Sequence, residues 1–297
     1  MHAYLRAVGF KGITDKKKLK ELLYEVTENP DEQKLVSLGK QGGNVVELKK
    51  RFADNMGILV HGYYEDDGSF ELEYYIPYAE GSPKPIEDDI TITRHIARES
   101  FAGVSEDMRI GVTMIFYLEN GMEYLEHAMK KKALYYHGRI YLSGLAAGGM
   151  ILLPASKNEL QRKQGQKQNQ NRRKLISDAK RGDEAAIESL TIEDLDMYSM
   201  ISHRIRTEDV FTIVDSSFMP YGVECDQYSV IGEILDMKEM TNSYSGEKVY
   251  LLLLECNDFE MTVAVNADDL MGEPQIGRRY KGAVWLSGRV VFADGTD

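Results

Sequence analysis

The clearest pattern in the chain is a series of strand-like runs near its end, between Tyr228 and Phe292. Turn-forming residues separate the runs, and a short helical turn is predicted over 267–272. One run contains six apolar or aromatic residues in succession, 249–254, which is typical of a central strand. The pattern predicts a small closed β-barrel built from four strands, at 228–241, 247–256, 259–266 and 277–292.

The first half of the chain mixes strand-like and helix-like patterns. A strand is predicted over 4–10, and Thr14 followed by Asp15 can cap a helix that runs to about Glu28. A second, short helix is predicted over 122–132. Turn-forming residues separate six further strand-like runs, at 45–52, 58–64, 70–78, 90–97, 109–117 and 134–142. Because no regular helical crossovers separate them, a mainly antiparallel sheet is favoured over a doubly wound parallel sheet.

These elements predict an α+β fold: an N-terminal, mainly antiparallel sheet with helices, followed by the small closed β-barrel. The order of three strands, a short helix and a last strand resembles an oligonucleotide- and oligosaccharide-binding (OB) barrel, although another small barrel of this length fits almost as well. The predicted organisation is an α+β domain over 1–156, a linker or exposed loop over 157–181, a helical connector over 182–224 and the barrel over 225–297. The connector region is predicted to contain two helices, over 173–190 and from a cap at Thr191 onward.

Composition narrows the class of protein. The chain has 297 residues, of which 43% are hydrophobic and 28% charged, as expected of a soluble protein with two domains. The first residues lack a basic region followed by an apolar run, and no segment approaches the roughly 18 apolar residues of a membrane span. We therefore expect a cytoplasmic protein without membrane contact. The two cysteines, Cys225 and Cys256, are expected to be buried thiols.

One segment departs from the acidic balance of the chain, whose net charge is −12. Residues 157–181 hold 9 basic and 2 acidic side chains, a difference of +7, and are rich in Gln and Asn. Four basic residues are candidates for binding nucleic-acid phosphates: Arg162, Lys163, Arg172 and Arg173. Because the tract contains no aromatic residue for base stacking, a solvated connector that docks against the acidic residues after it is favoured, and nucleic-acid binding is the weaker alternative.

Motifs with a known catalytic spacing are missing. There is no phosphate loop that ends in Gly-Lys-Ser/Thr, and no Cys or His pair has a zinc-type spacing. In the run 94–100, a strand would place His95 and Glu99 on one face, where the carboxylate can orient the imidazole for acid–base catalysis. The alternative for this run is a solvent-facing or salt-bridged ladder.

A second candidate site lies just before the barrel, where Glu224 and Asp226 flank Cys225. The two carboxylates are candidate metal ligands. The alternative is a structural corner, in which the carboxylates accept hydrogen bonds from backbone N–H groups or contact the basic tract.

Four stretches carry a resemblance to a known family, 1–10, 111–118, 218–226 and 282–289. They are similar to an uncharacterised bacterial family of about 300 residues. The resemblance implies a cytoplasmic bacterial protein without an assigned reaction, known cofactor or catalytic residues.

The function predicted from these observations is that of a non-catalytic binding or assembly protein, with 18 tyrosines available as anchors for a protein or polymer partner. The alternative is a hydrolase or transferase with acid–base residues at an interdomain cleft. The sequence leaves the cofactor and the oligomeric state open.

Overall fold

The computed structural model describes residues 2–37, 44–65, 67–94, 100–106, 113–130, 135–154, 171, 174–175, 178–179, 181–204, 206 and 214–292. The protein is mostly β, with a four-stranded antiparallel sheet, a large mixed sheet and few helices. The predicted mixture of antiparallel strands and helices is therefore confirmed. None of the helices in these ranges is long and apolar enough to cross a membrane.

The smaller sheet forms from consecutive strands joined by short connections. Its strands are β1 (Glu32–Ser37), β2 (Asn44–Ala53), β3 (Met56–Tyr64) and β4 (Phe70–Ala79), and each is antiparallel to the next. Helix α1 (Lys16–Glu28) precedes it and begins as predicted, because the Asp15 carboxylate accepts hydrogen bonds from the N–H groups of Lys17 and Lys18 at 2.9 and 2.8 Å. Strands β2 to β4 were predicted, whereas β1 was not.

The large sheet contains the remaining strands and spans most of the rest of the chain. They are β5 (Ile86–Arg94), β6 (Phe101–Ser105), β7 (Met114–Leu118), β8 (Tyr135–Ala146), β9 (Gly149–Leu152), β10 (Ser217–Pro220), β11 (Gln227–Thr241), β12 (Lys248–Cys256), β13 (Phe259–Asn266), β14 (Leu270–Met271) and β15 (Arg279–Phe292). Helices α2 (Gly121–Lys130) and α3 (Glu184–Arg204) lie between them in the chain. Of these strands, β6, β9, β10 and β14 were not predicted.

Five strands of the large sheet pair in a ring. Strand β11 pairs with β12, β12 with β13, β13 with β8, β8 with β15, and β15 with β11. Only the contact between β13 and β8 in this ring is parallel. Strand β8 belongs to the first half of the chain, so strands from both sides of the predicted domain boundary share one sheet. The division into domains itself stays a prediction.

Three local predictions are wrong. Residues Ala3–Val8 form a 3₁₀ helix instead of a strand, because the His2 side chain accepts the N–H of Tyr4 and Gly9 ends the helix in the left-handed region at φ 84°. Helix α3 is continuous through Thr191, whose hydroxyl donates to the carbonyl of Ile187 instead of capping a new helix. The thiol of Cys225 is exposed, while that of Cys256 is buried as expected.

The segment Ala3–Val8 lies between the two sheets. Its side chains Leu5, Ala7 and Val8 are buried in an apolar cluster that includes residues of β2 to β4 and of the large sheet. The fully buried Asn242 holds this segment in place: its amide donates to the carbonyl of Val8 at 2.8 Å and accepts from the N–H groups of Tyr244 and Ser245. The contact between the sheets therefore depends on a polar anchor as well as on apolar packing.

We expect Asn242→Ala to lower the free energy of unfolding by about 2 to 3 kcal/mol, because it leaves buried backbone groups without partners. Urea unfolding monitored by circular dichroism measures the change. Asn44→Ala, at an exposed position where β2 begins, is the control and should change the stability by about 0.5 kcal/mol or less. Equal effects of the two substitutions would contradict the anchoring role of Asn242.

Candidate functional site

An open cleft of 430 Å³ lies between the two sheets, and we call it the inter-sheet cleft. One wall comes from the smaller sheet and its exit, with Glu32, Lys34, Glu47, Lys49, Leu59, Tyr78, Glu80 and Gly81. The other wall comes from the large sheet and α2, with Glu119, Asn120, Glu123, Tyr141, Arg289 and Val291. Because side chains two residues apart in a strand share a face, β1, β2 and β15 each direct a pair of these side chains to the cleft.

Glu47 is a buried residue of the cleft lining, with 6% of the residue exposed. Its Oε2 atom lies 3.7 Å from Nε2 of His61, beyond hydrogen-bonding distance, and has no hydrogen-bond partner among the described residues. Burial raises the pKa of Glu47 to about 7, so this carboxyl exchanges its proton near neutral pH.

His61 lies directly behind Glu47 on the neighbouring strand, and the two residues face each other in the register of β2 and β3. Its ring stacks on Tyr74 with centroids 4.4 Å apart, and neither ring nitrogen has a hydrogen-bond partner in the described ranges. Burial lowers the pKa of His61 to about 3. The imidazole is therefore neutral at pH 7 and does not act as a counter-ion for Glu47.

Glu119 lies on the opposite wall, directly after β7. Its Oε1 atom accepts hydrogen bonds from the hydroxyls of Ser143 at 2.8 Å and Ser287 at 2.7 Å. These serines are register partners in β8 and β15, which brings both hydroxyls to one carboxyl oxygen. Burial raises the pKa of Glu119 above its usual value, although the two hydroxyls oppose this effect. Among the described residues, none donates a hydrogen bond to the second oxygen, Oε2.

An ion-pair network connects the two walls through Glu123 of α2. The Glu123 carboxylate accepts from Nζ of Lys34 at 2.6 Å and from Nη2 of Arg289 at 3.2 Å, so it joins β1 to β15. Asn120 also donates to Glu123 and exchanges two hydrogen bonds with the backbone of Val290. Burial acts to raise the pKa of Glu123, but the hydrogen bonds from Lys34 and Asn120 outweigh it and lower the pKa.

Lys49 and Tyr78 complete the wall formed by the smaller sheet. The Nζ atom of Lys49 lies 4.7 Å from the centroid of the Tyr78 ring, a cation–π contact. In the part of the chain that the structure describes, Lys49 has no carboxylate within ion-pair distance. The hydroxyl of Tyr78 is buried, and no described residue forms a hydrogen bond with it. The cleft therefore contains unsatisfied acceptors and a hydroxyl that lack protein partners.

The predicted site residues lie elsewhere in the chain. His95, Glu99, Arg162, Lys163, Arg172 and Arg173 all fall outside the described residues. Glu224 is exposed, whereas Asp226 is partly buried and accepts a hydrogen bond from the indole N–H of Trp285 at 2.7 Å. No group of three His, Cys, Asp or Glu residues within the described ranges is arranged to hold a metal ion. The metal-ligand role of Glu224 and Asp226 remains a prediction.

The sequence analysis missed Glu47 and Glu119. Glu47 interrupts the apolar run Val45-Val46-Glu47-Leu48, and a charge within a buried strand is a signal that was present in the sequence. Glu119 follows an apolar run at the end of a strand, where a polar residue is ordinary. Only the register of β8 and β15, which brings two serines to its carboxyl group, distinguishes Glu119.

We expect Glu47 to make the folded protein less stable as the pH rises. The Glu47 carboxyl loses its proton at its ordinary pKa of 4.5 in the unfolded chain and at about 7 in the folded protein. The contribution of this proton to the free energy of unfolding is therefore complete below pH 4.5 and is lost as the pH passes about 7. Relative to Glu47→Gln, the wild-type protein should lose about 2 to 3 kcal/mol of unfolding free energy between about pH 5 and pH 8. Urea unfolding across this range measures it. Glu71→Gln, at an exposed position of β4, is the control; a wild-type profile parallel to that of Glu47→Gln would contradict the prediction.

A family model covers nearly the whole chain. It carries the description "Domain of unknown function, E. rectale Gene description (DUF3881)" and matches residues 5–288. No curated protein and no solved structure matches the chain. The predicted resemblance to an uncharacterised bacterial family of about 300 residues is confirmed. The chain belongs to the DUF3881 family of domains of unknown function.

Proposed function

We propose that the protein is a binding protein and that the inter-sheet cleft holds a small polar ligand. The observation that carries this proposal is that Oε2 of Glu47 and the hydroxyl of Tyr78, two residues of the cleft lining, are buried without hydrogen-bond partners among the described residues. A buried polar group in this state costs about 1–3 kcal/mol, and a ligand would supply the missing partners. The cleft volume of 430 Å³ lies within the range of small-molecule sites, about 300–1,000 Å³.

The proposed scaffold for this function is a closed barrel of OB-like type. The ring of pairings through β11, β12, β13, β8 and β15 supports it, with β8 supplied by the first half of the chain. Strand β15 belongs to this ring and also carries Arg289 and Val291 of the cleft lining. A closed ring would therefore hold one wall of the cleft rigid. We propose that the ligand, free or carried by a protein or polymer partner, is bound in a bacterial cytoplasm.

A second candidate function is acid–base catalysis by a hydrolase or transferase, and one observation favours it. The pKa of Glu47 is about 7, and a catalytic acid or base works best when its pKa lies near the operating pH. In this alternative, Glu47 exchanges a proton with a bound substrate, and Glu119 on the opposite wall holds the substrate in position. Glu47→Gln would then remove turnover while leaving substrate binding largely intact.

Thermal denaturation with a panel of small compounds tests the binding function. The panel contains amines, polyols, sugars and carboxylic acids, and the full-length protein is first examined by native mass spectrometry for a copurified ligand. We expect at least one compound class to raise the melting temperature, because ligands that bind only the folded state stabilise it. The same compounds should stabilise Glu119→Gln and Tyr78→Phe less, since both substitutions remove a polar group from the cleft.

Glu71→Gln is the matched control for this screen, because it removes one carboxylate from an exposed position of the same sheet. The shifts of this control should equal those of the wild-type protein. If the stabilising compounds act equally on the wild-type protein and on both cleft variants, the ligand site lies elsewhere and the proposal is wrong. Product formation from a stabilising compound would favour the catalytic alternative.

A further inference from the structure

We infer that the ligand of the inter-sheet cleft is an organic cation, with an ammonium or guanidinium group seated between Glu47 and Glu119 beside the ring of Tyr78. The inference rests on the proposed function, because it names the ligand class for the same cleft. Four observations support it: the charge balance of the cleft, the unsatisfied atoms, the contact of Lys49 and the position of the carboxyl groups on both walls.

The charges of the cleft are only partly compensated. Lys34 and Arg289 both bind Glu123, and Glu32 binds Arg51 outside the cleft, so these groups satisfy one another. The carboxyl groups of Glu47, Glu80 and Glu119 have no cation within ion-pair distance among the described residues. Lys49 is the lining cation that no described carboxylate pairs. Because Lys34 and Arg289 share the single carboxylate of Glu123, that set keeps one excess positive charge, and Lys49 adds a second. The three carboxyl groups of Glu47, Glu80 and Glu119 exceed these two positive charges by one when all are ionised, which favours a positively charged ligand.

Each wall of the cleft has a carboxyl oxygen that could accept a hydrogen bond from a ligand. Oε2 of Glu47 is buried without a partner, and Oε2 of Glu119 receives no hydrogen bond from a described residue. Carboxylate oxygens accept hydrogen bonds, and ammonium and guanidinium groups only donate them. A ligand carboxylate or phosphate could accept from Lys49 and from the Tyr78 hydroxyl, but it would place acceptor against acceptor at the ionised Glu47 and Glu119. Hydrogen bonds between ionised partners are also about twice as strong as neutral ones, so a cation uses these atoms best.

Lys49 already demonstrates that the cleft accommodates an ammonium group. Its Nζ atom lies over the Tyr78 ring at 4.7 Å, and its charge acts to lower the pKa values of both Glu47 and Glu119. A single side chain thus contacts the aromatic face and influences both carboxyl groups without forming an ion pair with either. A ligand cation would approach the same three groups, and Lys49 would oppose it by like-charge repulsion.

Cation binding in this cleft is coupled to a proton. Burial holds the pKa of Glu47 at about 7, and a bound cation favours the ionised form. The surrounding charges are Lys34 and Glu32 on β1, Lys49 on β2 and Glu123 on α2, while His61 on β3 is neutral. The lysines favour and the glutamates oppose ionisation of Glu47, so their effects partly offset each other. Burial also raises the pKa of Glu119 on the opposite wall, and a bound cation would favour its ionised form as well. Affinity should therefore increase as the pH rises through 7.

Isothermal titration calorimetry with three four-carbon probes of similar length tests the inference: putrescine, butanediol and succinate. They carry ammonium, hydroxyl and carboxylate groups at their ends. We expect putrescine alone to bind, at one site per chain. Its affinity should rise about tenfold between about pH 6 and pH 8, following ionisation of Glu47. Glu119→Gln should weaken putrescine binding about tenfold or more, since it removes one charged acceptor.

The variant Lys49→Gln gives the clearest test, because the inference predicts a gain in putrescine affinity for it. At about pH 8.5, where Glu47 is ionised with or without Lys49, removal of the competing ammonium group should strengthen putrescine binding roughly fivefold, an effect that misfolding cannot produce. Lys17→Gln on α1, where the lysine side chain is 88% exposed, is the matched control for the lost positive charge. Glu71→Gln is the control for the lost negative charge, and both controls should bind as the wild-type protein does.

The outcomes separate the inference from the proposed function. If butanediol or succinate binds and Glu119→Gln or Lys49→Gln weakens that binding, the inference of a cationic ligand is wrong, but the proposal that the cleft binds a ligand is supported. Absence of heat with putrescine would also overturn the cationic ligand. If Glu71→Gln weakens putrescine binding as much as Glu119→Gln does, the probe associates with the acidic surface in general, and the inference is wrong.

Discussion

The apolar contact between the two sheets is the interaction on which the rest of the structure depends. The buried side chains of Ala3–Val8 lie within it, and they pack together with residues of the smaller sheet and with Leu145 and Ala264 of the large sheet. Leu59 and Tyr78 belong to this cluster and also line the cleft. The cleft therefore borders the contact, and the separation of its walls is set by how closely the two sheets pack.

Polar groups stabilise this arrangement where they are fully satisfied and oppose it where they are not. Glu123, which accepts from three side chains, ties β1 to α2 and β15 across the cleft. Glu47 and His61 are more deeply buried, yet three of their polar side-chain atoms have no partner among the described residues. Such atoms oppose folding, and one of them belongs to Glu47, which lines the cleft.

Sequence patterns predicted the local elements of this fold better than its long-range contacts. Alternation and turn residues located β2 to β4. The gap between the predicted strands at 247–256 and 259–266 falls on Asn257-Asp258, where both residues have positive φ and form the turn before β13. The apolar segment at the N-terminus was misassigned because its buried residues suit a strand as well as a short 3₁₀ helix. The pairing of β8 with β13 and β15 joins residues more than a hundred positions apart, and no local pattern encodes it.

The same limit explains why the cleft was not predicted. Glu47 and Glu119 lie far apart in the sequence and have no shared motif, so only the packing of the two sheets makes them lining residues of one site. His95 and Glu99 were predicted as a site because they are close together in the sequence. Sequence reasoning favours sites built on one strand or loop, whereas this site is assembled from two sheets and a helix.

The position of Lys49 explains how the fold tolerates such a cleft. The cleft lining contains several carboxyl groups, and burial of a charge is costly. One ammonium group acting on both Glu47 and Glu119 reduces this cost, and protonation of Glu47 near neutral pH reduces it further. Neither the charge of Lys49 nor protonation of Glu47 provides a hydrogen-bond donor to the free carboxyl oxygens. The cleft is thus compatible with a stable fold, and the acceptors that remain are the atoms to which the inferred cation would donate.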